Sequence, residues 1–421
     1  MTGSPEADPA GSVTAPPQGV GPLLPGAQRE VRPLRQQILE HVRAQGRVAR
    51  AEISRALGIS AGSVTTLTSE LIAMGLLREV ENASPATTTR GRPRVALELV
   101  AEGRLVIGIK ISDERNTAVL VDFAGTILAD AARPAPPMRR SLDQTCDEIG
   151  ALIEAVLTRA GRAREELLAV GVGLSGMVDH ETGTVLWSPH LGPDMPLGPE
   201  ASRRFGLPVI IDNDANMLTL AELWFGAGRE RSDFAVVTIE HGLGMGLVID
   251  NRLYRGERSM GLELGHTKVQ LDGALCRCGK RGCLEAYVAD YALAREAATA
   301  LARAPQSPQV MLDALYAEAK AGNRAARSIF DRAGRYLALG LSNVIQIFDP
   351  ELIILSGERM RYDYLYAEEV LAEMSALTLV EGRMPARVEI HAWGDLVWAR
   401  GASALALAAV TGTVLAGARA A

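Results

Sequence analysis

The chain has 421 residues, of which 48% are apolar and 22% charged, with a formal net charge of −6. That length suits about three units of 100–200 residues, and the apolar fraction can supply a sizeable core. No run approaches the roughly 20 uninterrupted apolar residues of a membrane span, and the first residues lack the basic start and apolar stretch of a secretory signal, so a cytoplasmic location is the expectation.

Residues 1–30 are rich in Pro, Gly, Ala and Ser and read as a disordered tail. Residues 31–100 hold ten Arg, no Lys and six Glu, a net +4, so the remainder of the chain carries −10. A small basic unit on a larger acidic one points to a polyanionic partner for the first unit alone.

Within that basic unit, Leu34, Ile38, Leu39 and Val42 form a helical stripe. RAEISRAL fits a second short helix with Ile53 and Leu57 inward, and GIS supplies a Gly turn ending in Ser60, a good N-cap. A third helix carries Val64, Leu67 and Leu71 on one face and Ser63, Thr65, Thr66 and Thr68 on the other. Two short helices joined by a Gly turn match the helix-turn-helix, whose second helix enters the major groove. LLREV and RVALELV read as two strands flanking ENASPATTTRGRPR, a wing-like loop whose Arg90, Arg92 and Arg94 suit the electronegative minor groove. Candidate DNA contacts are therefore Ser60, Ser63, Thr65, Thr66, Arg90, Arg92 and Arg94 in a winged helix-turn-helix domain over 31–100. The alternative is a three-helix packing unit with a solvated basic loop.

Residues 101–421 alternate strands and helices in two groups. LVIGIKI, TAVLVD and ILAD read as successive strands, followed by a helix over 141–160. LLAVGVGLSG and PVIIDNDAN are further strands, the second leading into the helix MLTLAELWFG. FAVVTIEHGLGMGLVIDN reads as a hairpin, 287–347 as mostly helical, ELIILSG and VEIHAW as late strands, and GASALALAAV as a closing helix. This pattern predicts an α/β fold of two lobes with a cleft between them.

Three of the four cysteines fall in CRCGKRGC, residues 276–283. In reducing surroundings so tight a cluster binds metal more readily than it forms disulfides. Cys146 stands apart and reads as an ordinary buried thiol.

LSGMVD at 174–179, IDNDAN at 211–216, GLELGH at 261–266 and CRCGKRGCLE at 276–285 together resemble the ROK family (repressors, open reading frames, kinases) of the actin-like, ribonuclease H-like sugar-kinase fold. The resemblance covers 105–415, and the winged head matches the family's sugar repressors of the xylose and N-acetylglucosamine type. It implies a structural Zn2+ held by His266, Cys276, Cys278 and Cys283 in a loop spanning 266–283, with no ligand position left open for chemistry. It also implies sugar contacts at Gly176, Asn213, Asp214, Glu263, His266 and Glu285. In the family's kinases the position of Asp214 is the general base. Taken alone, IDNDAN could equally be a strand-end turn.

Phosphoryl transfer in this fold needs Gly-rich turns whose N–H groups approach the phosphates. Here KISDER at 110–115 stands where kinases read like DIGGTK, EHGLGMG at 240–246 where they read like GTGIGGG, and SGER at 356–359 where they carry Gly-Gly. The sugar side is intact and the nucleotide side altered. No catalytic residue is therefore expected. The reading is a sugar-responsive repressor, with operator DNA and a small sugar as ligands, working as a homo-oligomer, dimer or tetramer. Activation in place of repression, an ATP-dependent sugar kinase with a regulatory head, and a cleft that receives a partner protein are the alternatives.

Overall fold

A computed structural model describes residues 18–24, 32–81 and 95–417, except residues 137, 258, 260, 303, 305, 358–359, 361, 366–367 and 380–385. The head comprises α1 (Leu34–Gln45), β1 (Arg47–Ala49), α2 (Arg50–Leu57), α3 (Ala61–Ala73), β2 (Leu77–Glu81) and β3 (Val95–Leu99). Gly58, left-handed at φ 65°, ends α2, and the Ser60 hydroxyl accepts from Ser63 N–H to start α3. Ile38, Leu39, Val42, Ile53, Val64 and Leu71 are fully buried, so the three apolar stripes meet in one core. The short β1 was not expected. It exists because Arg47, Val48 and Ala49 pair with Glu98, Leu97 and Ala96 of β3, a contact that no local pattern announces.

The first lobe contains β4 (Leu105–Ile111), β5 (Arg115–Asp122), β6 (Ile127–Pro134), α4 (Leu142–Ala160), β7 (Leu167–Leu174), β8 (Met177–Asp179), β9 (Thr184–Trp187), α5 (Leu197–Phe205), β10 (Val209–Asn213) and α6 (Asp214–Phe225). Its five-stranded sheet runs β10-β7-β4-β5-β6, with β8 and β9 as a separate hairpin. That hairpin and α5 are absent from the sequence reading. The α6 helix starts at Asp214, three residues before the expected MLTLAELWFG, because the Asn213 side chain accepts from Asn216 N–H.

The second lobe contains β11 (Phe234–Ile239), β12 (Leu243–Ile249), β13 (Arg252–Tyr254), α7 (Glu285–Val288), α8 (Asp290–Ala300), α9 (Pro308–Lys320), α10 (Arg324–Phe348), β14 (Leu352–Ser356), α11 (Glu368–Leu377), β15 (Arg387–His391) and α12 (Val397–Gly417). Its sheet runs β13-β12-β11-β14-β15, and the hairpin expected over 234–251 is β11–β12. The closing helix α12 crosses back to the first lobe. Its backbone lies so close that a Cβ on Gly171 would fall 2.0 Å from the Ala402 carbonyl. By length and composition α12 could cross a membrane, but 56% of its most apolar window is buried inside the protein, as befits a core helix.

Residues 18–24 depart from the expected disordered tail. Gly21 is buried and Val20 packs against the core that head and first lobe share. Val20 is half-buried on that core while Leu24 stays exposed, so the apolar contact that anchors the segment is made by Val20.

Candidate ligand cleft and metal centre

His266 ends a single 3-10 turn (Leu264–His266), and Cys276, Cys278 and Cys283 follow on a loop folded by Gly279 and Gly282, both with positive φ. Gly282 is obligatory, because a Cβ there would fall 1.6 Å from the Gln270 carbonyl. One ligand atom from each of the four residues lies within 4.8 Å of the others. The Cys278 and Cys283 sulfurs are 3.7 Å apart, and Cys276 Sγ is 3.7 Å from His266 Nδ1. That spacing is far too long for a disulfide at about 2.05 Å. It matches the ~3.7 Å edge of a tetrahedron with ~2.3 Å metal–sulfur bonds. The donor set therefore fits a four-coordinate ion of the N/S-binding class.

Without an ion the thiols conflict. Burial pushes Cys276 up to about 12. At Cys278 burial opposes ionisation, but the Lys280 backbone and the neighbouring sulfurs bring the thiol below its usual value. Lys268 Nζ lies 2.7 Å from Cys283 Sγ and is itself raised by that contact. A cation in the centre would resolve the conflict by holding all three as thiolates.

Glu285 links this loop to the cleft. Its Oε1 approaches Cys276 Sγ at 3.5 Å and accepts from Tyr291 OH at 3.4 Å, while Oε2 accepts from Leu243 N–H. Glu263 is exposed at the cleft mouth, yet the cleft walls strip water from its carboxyl. That loss raises it, Asp214 and Glu285 add to the rise, and His266 opposes it. Asp214 crosses from the first lobe, where its Oδ2 accepts from Ser175 OH at 2.6 Å. Gly176, at φ 132°, passes so near the Trp187 carbonyl that a Cβ would sit 2.2 Å from it. Asn213 spends its Oδ1 on the α6 cap. Glu263, His266, Asp214 and Glu285 thus lie near enough to act on one another, with Asn213 next to Asp214 in the chain and Gly176 next to its partner Ser175.

Two further groups stand beside these residues. Asp212, 1% exposed, accepts from Asn216 Nδ2 and Arg255 Nε at 2.7 Å each and so fixes the strand end that presents Asn213 and Asp214. His190 stands between the charges of Asp113 and Asp214, its pKa lowered chiefly by burial. Neither was singled out from sequence. The Asp212 signal was its place at the end of the apolar run VII, where a carboxylate needs a partner.

The KISDER and EHGLGMG loops touch each other. His241 Nε2 lies 3.3 Å from Asp113 Oδ2 and 3.7 Å from Glu114 Oε1, and its Nδ1 lies 3.0 Å from Asp290 Oδ2. Lys110, the one cation of the first loop's altered residues, has its ammonium 3.4 Å from the centroid of the Trp398 ring. In the SGER turn, Ser356 OH donates to the His391 carbonyl and Gly357 has φ 121°; Glu358 and Arg359 fall outside the described residues.

In the head, Ser60, Ser63, Thr65 and Thr66 are exposed along α3. Thr68 is not on that face. It is fully buried, where its hydroxyl donates to the Thr65 carbonyl and accepts from Arg50 Nε at 2.9 Å. Arg50 completes its ties with Glu79 at 2.7 Å. Arg90, Arg92 and Arg94 lie outside the described residues.

A helix-turn-helix head on a two-lobed α/β cleft with a Cys/His centre defines a class, and comparison with known sequences agrees. The chain belongs to the ROK family, whose sequence model matches residues 106–409. A winged helix-turn-helix DNA-binding model matches residues 32–78. The xylose repressor of Caldicellulosiruptor bescii is 26% identical over 357 residues, covering 83% of this chain and 88% of that protein. A crystal structure described as a ROK family transcriptional regulator, homologous to the E. coli MLC protein, superposes with a TM-score of 0.76 at 25% identity, covering 91% of this chain and 98% of the other. A ROK family glucokinase from Streptomyces griseus, in complex with glucose and AMPPNP, superposes at 0.59 with 30% identity but covers only 72% of this chain and 98% of its own. The repressor-type relatives thus extend over the head, whereas the kinase covers the cleft alone.

Proposed function

We propose that this chain is a sugar-responsive DNA-binding transcriptional repressor. In this reading residues 31–100 bind operator DNA, and the cleft of residues 101–421 binds a small sugar through Gly176, Asn213, Asp214, Glu263, His266 and Glu285. His266, Cys276, Cys278 and Cys283 hold a structural Zn2+ that clamps Glu285 and Glu263 against the cleft. Ser60, Ser63, Thr65 and Thr66, with the wing arginines Arg90, Arg92 and Arg94, meet the duplex. The active unit is a cytoplasmic homo-oligomer whose paired heads read two half-sites, about one helical turn or a multiple of it apart.

The observation that carries the reading is the contrast across the cleft. The sugar-side carboxylates converge, while Asp113 and His241 meet at 3.3 Å where a nucleotide's phosphates would have to enter. Carboxylates at that place repel phosphate, and Lys110 is engaged with an aromatic ring. This contrast supports a reading in which sugar binding is kept and phosphoryl transfer is lost.

The test pairs two measurements on the full chain. Duplexes selected from a random pool are titrated with the protein at fixed salt, with and without D-xylose, D-glucose and N-acetyl-D-glucosamine. The same sugars are offered with ATP and Mg2+ in a coupled phosphorylation assay. One sugar should shift DNA affinity at least about fivefold, the lower range of allosteric coupling, and none should be turned over. A second reading, an ATP-dependent sugar kinase with a regulatory head, draws on the Ser175–Asp214 hydrogen bond, which would position a general base. Turnover abolished by Asp214→Ala would establish that reading and end the first.

A further inference from the structure

Residues 18–24 run between the ends of α1 and α6 and bond to both. Val20 N–H donates to the Arg43 carbonyl at the end of α1 at 3.0 Å, Gly21 N–H to the Trp224 carbonyl at the end of α6 at 2.9 Å, and Leu23 N–H to the Arg229 carbonyl at 2.9 Å. Arg229 clasps the segment from the other side. Its Nε donates to the Gly21 carbonyl at 3.0 Å and its Nη2 to the Ala44 carbonyl of α1 at 2.7 Å. There is no slack in the fit. A Cβ on Gly19 would fall 1.8 Å from the Arg43 carbonyl, and one on Gly125, in the β5–β6 turn, would fall 2.5 Å from Val20 Cγ2.

Arg43 reinforces the same junction from inside. It is 3% exposed, donates to Thr411 Oγ1 of α12 at 3.0 Å, and holds its guanidinium 4.5 Å from the Phe123 ring centroid and 5.9 Å from that of Trp224. Its Nε and Nη2 are buried without a hydrogen-bond partner. A buried guanidinium with two unmet donors is costly. An interface selected only for rigidity would not keep it, whereas one that must also release has a use for a metastable contact.

The far end of this junction is α6. Ala215 to Trp224 are buried without interruption, so the helix moves as one body. Asp214 of the cleft is its first residue, and Trp224 at its other end meets the N-terminal segment. At about 1.5 Å per residue the two ends are about 15–18 Å apart.

We propose that residues 18–24 and Arg43 form a coupling strap, which docks the DNA-binding head on the C-terminal end of α6 and passes ligand-driven displacement of that helix to α1. The proposal rests on the sugar-responsive reading and names the route of its regulation. Lobe closure on a sugar moves Asp214 and with it α6. Trp224 and Arg229 then carry the strap, and the strap carries Arg43, Ala44 and the head. Gly19 and Arg43 are positioning residues and touch neither sugar nor DNA.

Gly19→Val and Arg43→Met in the full-length chain test this. Gly19→Val expels the strap by collision with a carbonyl and takes from the shared core the packing of Val20, a partly buried side chain at its edge. Arg43→Met keeps apolar volume and removes the guanidinium. Sugar affinity is measured by calorimetry with D-xylose, D-glucose and N-acetyl-D-glucosamine. DNA affinity is measured with and without the bound sugar on a duplex selected by the wild type. Amide exchange is followed at residues 18–24 and 34–57. The expected result is sugar affinity within twofold of wild type, at least tenfold faster exchange at Val20 and Gly21, and a sugar effect on DNA affinity reduced to near one. Linkage demands the mirror result too, with DNA no longer altering sugar affinity. A Gly19→Val protein that exchanges fast at Val20 yet keeps the full wild-type sugar effect overturns the strap. A wild type whose DNA affinity no sugar alters overturns the sugar-responsive reading and the strap with it, so the two failures are told apart by which protein fails.

Discussion

Cys283 is fully buried, and its sulfur faces the Lys268 ammonium at 2.7 Å. Metal is bound by the sulfur as thiolate. Cys283→Ser replaces a soft sulfur ligand with a hydroxyl that ligates weakly and removes the sulfur that Lys268 Nζ contacts. The purified variant should carry far less zinc than the one equivalent expected of wild type. Its amides over 266–285 should exchange at least about tenfold faster, as a locally released loop does. Equal zinc content in the two proteins would remove the metal from this loop.

His391 makes a different residue-level case. Its Nδ1 lies 2.7 Å from Glu222 Oε1, and Glu222 is fully buried on α6. The Glu222 hydrogen bond, partly opposed by burial, raises the imidazole above its ordinary 6.5. A raised folded value means the contribution to stability is complete below about 6.5 and is lost as pH climbs through that raised value. The gap in Tm between wild type and His391→Gln should be wide at pH 6 and narrow as pH climbs above 6.5 through the raised value. A gap that stays constant, or widens with pH, contradicts the charged pair.

At the scale of elements, local chemistry decided what could be read. α3 was legible because Gly58 and Ser60 mark its start within three residues, and the Ser60 hydroxyl does accept from Ser63 N–H at 3.1 Å. Ser60→Ala should cost about 1 kcal/mol of head stability, visible as faster exchange along α3 with the cleft unchanged; an unaltered α3 would mean that water caps it equally well. The helix expected over 141–160 is α4, and the folded chain starts it with a Ser141–Gln144 capping box. The Cys/His group was legible because its four residues fall within eighteen positions of the chain. Elements made by distant partners were not. β1 needs β3, and the strap needs Trp224 and Arg229. Thr68 was placed on the DNA-facing side because a short polar residue at helical spacing reads that way, yet Arg50, eighteen residues earlier, draws it inward. The contact of Asp113 with His241 spans 128 positions. Sequence marked both residues as intruders among phosphate-binding turns, but only the folded chain brings them face to face.

Over the whole molecule, charge separates the two tasks. The head carries +4 and the rest of the chain −10, so the acidic body repels a duplex that the head attracts. In the proposed reading contact is thereby confined to the head, and Arg90, Arg92 and Arg94 are needed for it, because many of the head's other arginines are spent on carboxylates. Arg35 pairs with Glu70, Arg47 and Arg78 share Glu98, and Arg50 holds Glu79. Surface pairs of this kind add little stability, but they do remove charge from the count available to phosphates. Replacing Arg90, Arg92 and Arg94 together by Ala should therefore weaken binding to all duplexes alike. Each lost phosphate contact lowers the slope of log affinity against log salt by about 0.9, so the slope should fall by about 2–3 per head. Binding titrations between about 50 and 200 mM salt, the range where such contacts dominate, measure it. A triple variant with the wild-type slope and only a changed sequence preference would mean that these arginines read base edges and leave the phosphates to the Ser/Thr face of α3.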